Sequence, residues 1–525
     1  MHSKVKHISI VSLSTLGSRV LGLLRDVLIF AFFGVSVVNS AFILAFTLPN
    51  LFRRLLGEGA LTSALMPVMA QELEGSGKDK AFGFLNKVLS RLTCLLAVLV
   101  VLSILALQFV PLLKALPERW YLGAHLAAIL MPYMLLVCLA AIFSAALNLL
   151  NRFAVAALSP VWLNLSMIIG LGGFAAWFGD TSEERVYYLC AGVLVGGFFQ
   201  LLLPVIALRR EGWKPQWDAK KTKALDEMIA LFIPGLIGAA VFQVNIVVVR
   251  LLAFALDNAA VSVLYLASRL VELPLGVFTI AITTVVFPSI SKLAARGAFS
   301  DFSKEFAHGM RLIIAVTVPA ATGLIVLSKP ILTLLFEWGA FSAHDVSLVT
   351  PVLVISAVGL PFYSMATMAT RGFHALKDTR TPVAVGLCSF VVNLGLALWW
   401  MQSWGVSGLA AASVASACFQ NIALRVLLIR KQPLIRKGRF WFPLIEVVAA
   451  SKIMAVIVWL GMTYGANLWG TGKLGDVLSV IITIPVGVIF YLLFLKVFRF
   501  QEVYEIRDLF LKVFLPLAQK KRPTK

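Results

Sequence analysis

The sequence predicts an all-α polytopic membrane protein with about fourteen transmembrane helices. Three observations predict it. Hydrophobic residues fill 60% of the 525 positions and charged residues only 14%, well outside the composition of a soluble domain. Windows of about 20 residues, the length that crosses a hydrocarbon core of about 30 Å, pick out a long series of apolar segments. Lys and Arg are also shared unequally between alternate loops, as they are around the spans of membrane proteins.

Taken in order, the first span, 8–33, follows a basic start (MHSKVKH). It has no small-residue cleavage site and is expected to be kept as a span. The next, 38–70, is interrupted by Pro49, Gly57 and Gly59. Spans 86–113, 124–149, 157–179 and 186–208 are apolar runs. A basic, polar linker (RREGWKPQWDAKKTKALDE, 209–227) follows and could lie on the membrane surface as a partly helical segment. The remaining spans are 225–256, 261–291, 307–328, 346–373, 383–403, 406–429, 442–468 and 475–498. Several exceed what the core needs, so they tilt, kink or extend into water. Ile331–Phe336 is too short to cross and is expected to prolong a neighbour. The tail from 499 mixes apolar and basic residues, the pattern of an interfacial amphipathic helix.

An even number of spans puts both termini on one side. Of the 46 Lys and Arg, 34 lie in or beside the loops of that side, and five (Lys114, Arg119, Arg185, Lys329, Lys473) on the other. The positive-inside rule then places both termini in the cytoplasm. The other seven are within spans: Arg19, Arg25, Arg53, Arg54, Arg250, Arg269 and Lys452. The chain also repeats itself. Ala60–Pro67 (ALTSALMP) returns as Ala281–Pro288 (AITTVVFP), 221 positions later and six spans on. Two lobes of like orientation follow, 1–208 and 225–431, joined by the linker 209–224. Two further spans (432–498) and a basic tail (499–525) complete the chain.

The net charge of +21 is read as basic cytoplasmic loops against anionic lipid head groups, not as nucleic-acid binding. Five scattered cysteines form no CxxC, and six dispersed histidines form no HExxH; packing residues are expected, and no metal site. Walker A, GxGxxG-strand and nucleophile–base patterns are absent. No cofactor and no enzymatic activity are expected, and energy would come from a gradient, the membrane potential or metabolic pull.

The buried arginines carry the chemistry. A charge at the centre of a bilayer costs about 2.5–3.5 kcal/mol on insertion scales, so several in neighbouring spans call for an anion. Arg19 and Arg25 are about 240° apart on a straight helix; Gly17 and Gly22 would allow a bend that turns both inward. Arg25 could instead pair with Asp26 or reach the interface. Arg53 and Arg54 stand mid-span, with Glu58 at i+4 from Arg54 and glycines that let the backbone deform. In the eighth span Arg269 has Glu272 at i+3 and Pro274 beyond. Five arginines against Asp26, Glu58 and Glu272 leave a surplus of two positive charges, which suits a diphosphate held by guanidinium forks. Arg250 and Lys452 read as interfacial or structural.

With these residues in view, the chain resembles the MurJ (MviN) family of lipid II flippases. The motifs are SRVLGLLRD (Ser18–Asp26), LPNLFRRLLGEGA (Leu48–Ala60), RLVELPLGV (Arg269–Val277), FEWGAF (Phe336–Phe341) and KDTRTP (Lys377–Pro382). The resemblance implies the multidrug/oligosaccharidyl-lipid/polysaccharide exporter fold: two six-helix lobes in a V around a central cavity, with the last two helices forming a groove for the polyprenyl tail. It implies that Arg19, Arg25, Arg53 and Arg269 matter most, with Arg54 nearby, and Ser18, Asn50, Asp26, Glu58 and Glu272 in supporting or gating places. Asn39–Ser40, Ser268 and Trp338 depart from the family's usual acid, Asp and Arg.

The function expected is alternating-access transfer of lipid II, a polyprenyl-diphosphate glycopeptide, across the bacterial inner membrane for cell-wall synthesis. The expected partners are lipid II, membrane lipids and cell-wall synthesis enzymes, with the protein a monomer. The rivals are a flippase for another polyprenyl-diphosphate glycan, a multidrug antiporter, and a non-transporting cell-wall scaffold. A cationic drug would want acids where this chain has arginines.

Overall fold

The computed structural model describes residues 2–57, 59–113, 116–437, 441–470 and 473–514. Among these residues there are helices and connecting segments and no strand. Eleven helical stretches are long and apolar enough to cross a membrane. Two of them each contain a break at a glycine with positive φ, Gly77 at +81° and Gly405 at +56°. A non-glycine residue is strained in that region, so the break falls where the sequence permits it. Counting each broken stretch as a pair, and adding the first helix, recovers the fourteen expected segments.

The chain forms two compact units, Met1–Ser262 with Trp338–Ser342, and Val263–Glu337 with Ala343–Lys525. In the first, α1 (His2–Phe33), α2 (Val37–Phe52), α3 (Ala60–Gln108), α4 (Glu118–Leu149), α5 (Phe153–Ile168), α6 (Ser182–Arg210) and α7 (Lys223–Leu256) pack together. Helix α1 lies on α5, and α4 lies on α2, α3 and α6. Helix α7 packs on α2 and α3. Contact packing therefore draws the border after Ser262, beyond the linker 209–224 where the repeat alone would set it. The linker is not helical from 213 to 222. Its backbone is tied to side chains of α3: Asn86 donates to Lys214 O (3.0 Å) and Asp218 N donates to Ser90 Oγ (3.1 Å).

The second unit contains most of α8 (Ala260–Pro274), then α9 (Ile280–Ala295), α10 (Phe299–Val326), α11 (Ser328–Phe336), α12 (Ala343–Val358), α13 (Leu360–Ala375), α14 (Arg380–Lys431), α15 (Trp441–Trp469), α16 (Lys473–Val497) and α17 (Val503–Phe514). Helix α11, containing Ile331–Phe336, is a short helix of its own, set off from α10 at Leu327. Helices α15 and α16 pair with each other, and α15 packs on α10. Tyr491 of α16 is fully buried and its hydroxyl donates to Ala315 O of α10 at 2.5 Å. The reason lies in the sequence: residue 319 is proline, so Ala315 O lacks the i+4 N–H that a helix would supply. Of the tail expected to be amphipathic, Val503–Phe514 is helical as α17, with Val503 and Ile506 buried and Glu505 and Arg507 exposed, and 515–525 lie outside the described residues.

Candidate functional site

Helix α1 is continuous through Gly17 and Gly22, and the two arginines on it meet different surroundings. Arg19 is exposed. Arg25 is only 12% exposed and lies against Asp26, which is fully buried. Its Nε and Nη2 both donate to Asp26 Oδ1, at 3.0 and 2.6 Å. Its Nη1 donates to Asn164 Oδ1 of α5 at 2.9 Å. Asn164 in turn donates to Ser18 O at 3.2 Å. The pairing with Asp26 that adjacency allows is thus present, and it ties α1 to α5. Asn164 escapes a search for charges; its signal was a lone amide in an apolar span.

On α2, Asn50 is fixed by its own amide, which donates to Phe46 O at 2.9 Å. Its Oδ1 accepts from Arg53 Nε at 3.1 Å. The helix then passes into a π-helical turn over Arg53–Gly57, the local deformation that the glycines foretold. Arg53 is half-buried and Arg54 exposed. A Cβ at Gly59 would stand 2.8 Å from the Arg54 carbonyl oxygen, so the chain leaves the turn through a place open only to glycine. Glu58 lies outside the described residues.

Arg250, read from sequence as interfacial or structural, donates from Nη1 to Thr47 Oγ1. Thr47 and Asn50 are one turn apart on α2. Each holds an arginine, one from α7 and one from the π-helical turn. No spacing rule links positions 203 residues apart, and that is why sequence missed the contact.

In the second unit, Arg269 Nη1 is 3.5 Å from Glu272 Oε2, with side chains 30% and 56% exposed. This is a long contact between two partly exposed side chains. Ser268 is exposed. Pro274 closes α8, and a further π-helical turn, Leu275–Thr279, follows it.

The departures from the family pattern have their own places. Asn39 is fully buried near the start of α2, and its amide donates to Gly34 O at 2.7 Å. Ser40, also fully buried, bonds Ser262 Oγ at 3.2 Å. Trp338 is exposed at the start of a five-residue segment that belongs to the first unit. There Ala340 N donates to Ala31 O at 2.7 Å, and Phe341 packs edge-on to Phe30 at 5.7 Å.

A guanidinium donates only, and its fork matches the oxygens of a phosphate or carboxylate. Among the described residues no cluster of His, Cys, Asp or Glu could hold a metal ion.

Residues 29–483 match the family described as "Lipid II flippase MurJ". The chain is 31% identical to a probable lipid II flippase MurJ from Bdellovibrio bacteriovorus over 96% of both chains. It is 32% identical to one from Rhizobium meliloti over 88% of this chain and 87% of that one. A solved structure of lipid II flippase MurJ in an inward closed conformation superposes with a TM-score of 0.75 at 27% identity. The match covers 93% of this chain and 98% of that one. An inward-facing multidrug resistance MATE transporter shares the fold at 12% identity, with a TM-score of 0.65 over 80% of this chain and 96% of that one.

Proposed function

The chain belongs to the MurJ family of lipid II flippases, and from that premise we propose how its own residues carry the transport. It is a transporter and not an enzyme, a multi-pass inner-membrane protein that moves lipid II for peptidoglycan synthesis. The diphosphate of lipid II binds to Arg53, with Arg19, Arg25, Arg54 and Arg269 contributing and Ser18, Asp26, Asn50, Glu58 and Glu272 supporting or gating. The observation that carries this reading is the fixed guanidinium of Arg53. Its Nε is spent on Asn50, whose amide is anchored to the backbone, and it stands at a π-helical turn in mid-span. A guanidinium already fixed at its Nε loses less freedom when it binds, which lowers the ordering cost.

Both termini face the cytoplasm, and the head group passes by alternating access between inward-open and outward-open states. The polyprenyl tail stays in lipid along α15 and α16, whose outer faces carry exposed Val456, Trp459, Ile481, Ile489 and Leu493. The protein acts as a monomer that hands lipid II to cell-wall synthesis enzymes. A cationic drug is disfavoured as cargo, since arginines outnumber acids in the set. The test is lipid II translocation in proteoliposomes, scored by head-group accessibility in the receiving leaflet. The natural protein moves lipid II, and Arg53→Ala, folded by elution profile, does not. Equal transport by the two would remove Arg53 from the site.

A further inference from the structure

The linker between α6 and α7 is a built feature with no part in the transport site. Residue by residue it is fastened to α3. Trp213 is buried, its Nε1 donates to Asn86 Oδ1 at 2.8 Å, and its ring meets Phe143 edge-on at 5.1 Å. Asn86 and Asp218 N add the two backbone ties already described. The Asp218 carboxylate turns back toward Lys87, at 3.7 Å, and accepts from Lys220 N at 2.9 Å. Arg91 Nη2 donates to Ala219 O at 2.8 Å. Upstream, Glu211 is held by Arg152 at 2.7 Å and Lys78 at 3.4 Å.

The height of this strap in the membrane follows from α3. Cys94, Leu95, Val98, Val101, Leu102 and Leu105 form an exposed apolar stripe at helical spacing, the face that meets lipid chains. Arg91 is four residues before Leu95 on the same face, about one helical turn or about 6 Å along the axis. Because Arg91 holds Ala219, the strap lies where hydrocarbon gives way to head groups. What it turns outward fits that layer. Trp217 is 67% exposed, and Lys214, Lys220, Lys221 and Lys223 are all exposed. The exposed acids nearby are Asp226 and Glu227, in the first turns of α7; the linker's own acids, Glu211 and Asp218, are paired with basic side chains. A tryptophan flanked by lysines at this depth is the composition of an interfacial anchor.

We propose that the 213–223 strap is a binding site for anionic phospholipid head groups of the leaflet facing the basic loops, with Lys220 and Lys221 at its centre and Trp217 seated among the glycerol backbones. The strap's backbone is tied to α3 in advance, so its lysines and Trp217 are displayed from a fixed main chain.

The test uses the full chain in detergent, with Cys94→Ser and Cys388→Ser and an environment-sensitive fluorophore on Gln216→Cys. Short-chain phosphatidylglycerol and phosphatidylcholine are titrated separately. The expected result is tighter binding of phosphatidylglycerol, weakened about fivefold for each lysine removed in Lys220→Gln/Lys221→Gln. Lys292→Gln/Lys304→Gln, which removes the same charge from another loop region, leaves it unchanged. The proposal is overturned if the two lipids bind alike, if Lys220→Gln/Lys221→Gln binds as the parent does, or if the control pair weakens binding equally. Lipid II translocation by each variant confirms that it is folded, and it stays intact whether or not the arginine site is correctly assigned.

Discussion

Arg25→Ala should unfold the protein more readily as well as stop transport, and the two effects can be separated. Asp26 has no exposure to solvent, and Arg25 approaches its Oδ1 with two nitrogens, at 2.6 and 3.0 Å. Removing the guanidinium leaves a buried carboxylate without that neutralising contact. Breaking a buried ion pair from one side costs about 3–5 kcal/mol. The lost donor to Asn164 adds to the loss, since hydrogen bonds to charged groups are worth about 1.5–3 kcal/mol. The neutral pair Arg25→Gln/Asp26→Asn removes both charges together and leaves amides that can bond each other and Asn164. It should recover all but about 1–2 kcal/mol, because the main cost is the unpaired charge rather than the lost attraction. The assay is thermal unfolding in detergent by intrinsic fluorescence, run beside lipid II translocation. If Arg25 binds diphosphate, the double variant is stable and still inactive. If the double variant transports, Arg25 serves the fold alone. An Arg25→Ala protein as stable as its parent would refute the argument at its root.

Three further outcomes are expected. Burial pushes the Asp378 carboxyl up, but hydrogen bonds from Lys431 and from the Thr381 backbone and hydroxyl outweigh it and bring it down from 3.8 to about 2. The folded pKa is depressed, so this contribution is full above about pH 4 and is lost as pH falls toward about 2. Asp378→Asn should unfold at a lower temperature than the parent at pH 6 and converge with it near pH 2. Tyr491→Phe should cost about 1–3 kcal/mol of stability, measured by denaturant or heat, because Ala315 O then has neither its helical donor nor the phenol. Gly339→Ala should destabilise by roughly 1–3 kcal/mol or more, since Gly339 has φ +59° and a Cβ there would collide with the Ala31 carbonyl; a transition unchanged by this substitution would mean that the 338–342 segment contributes nothing to the first unit's fold.

What the sequence made legible was whatever depends on local composition. The spans follow from hydropathy, and their breaks at Gly77 and Gly405 fall in polar or aromatic-rich joints between apolar runs. The Arg25–Asp26 pair follows from adjacency, and the deformation after Arg53 from the glycines beyond it. What stayed hidden depends on contacts across the fold. Arg250 reaches Thr47 only because α7 packs on α2. Asn164 is drawn to Arg25 by the α1–α5 contact. The linker is expected to be partly helical, and its last residues, 223–227, are the start of α7, while Asn86 and Ser90 of α3 bond the backbone of the non-helical part. Single-residue polarity in a span thus signals importance, while the identity of the partner needs the packing.

Of the three π-helical turns among the described residues, two stand beside the internal repeat, while the third, Ile169–Ala175, has no π-helical counterpart 221 positions on. Eight matching positions of small and apolar type could arise by composition alone. The backbone adds an independent correspondence: Arg53–Gly57 and Leu275–Thr279 are both π-helical, and they begin 222 positions apart, against 221 for the sequence match. Each follows a proline, Pro49 or Pro274, whose missing N–H frees a carbonyl and weakens the α-helical register. Each precedes the repeated segment that ends at Pro67 or Pro288. A π-helical turn takes up one extra residue, which rotates all that follows by about 100° relative to an uninterrupted helix. In both units, then, the part of the span before the π-helical turn and the repeated part after it present different faces from those a continuous helical wheel assigns. This is why the periodicity of residues 38–70 could not by itself say which way Arg53 and Arg54 turn: Arg53 comes out half-buried against Asn50, and Arg54 exposed.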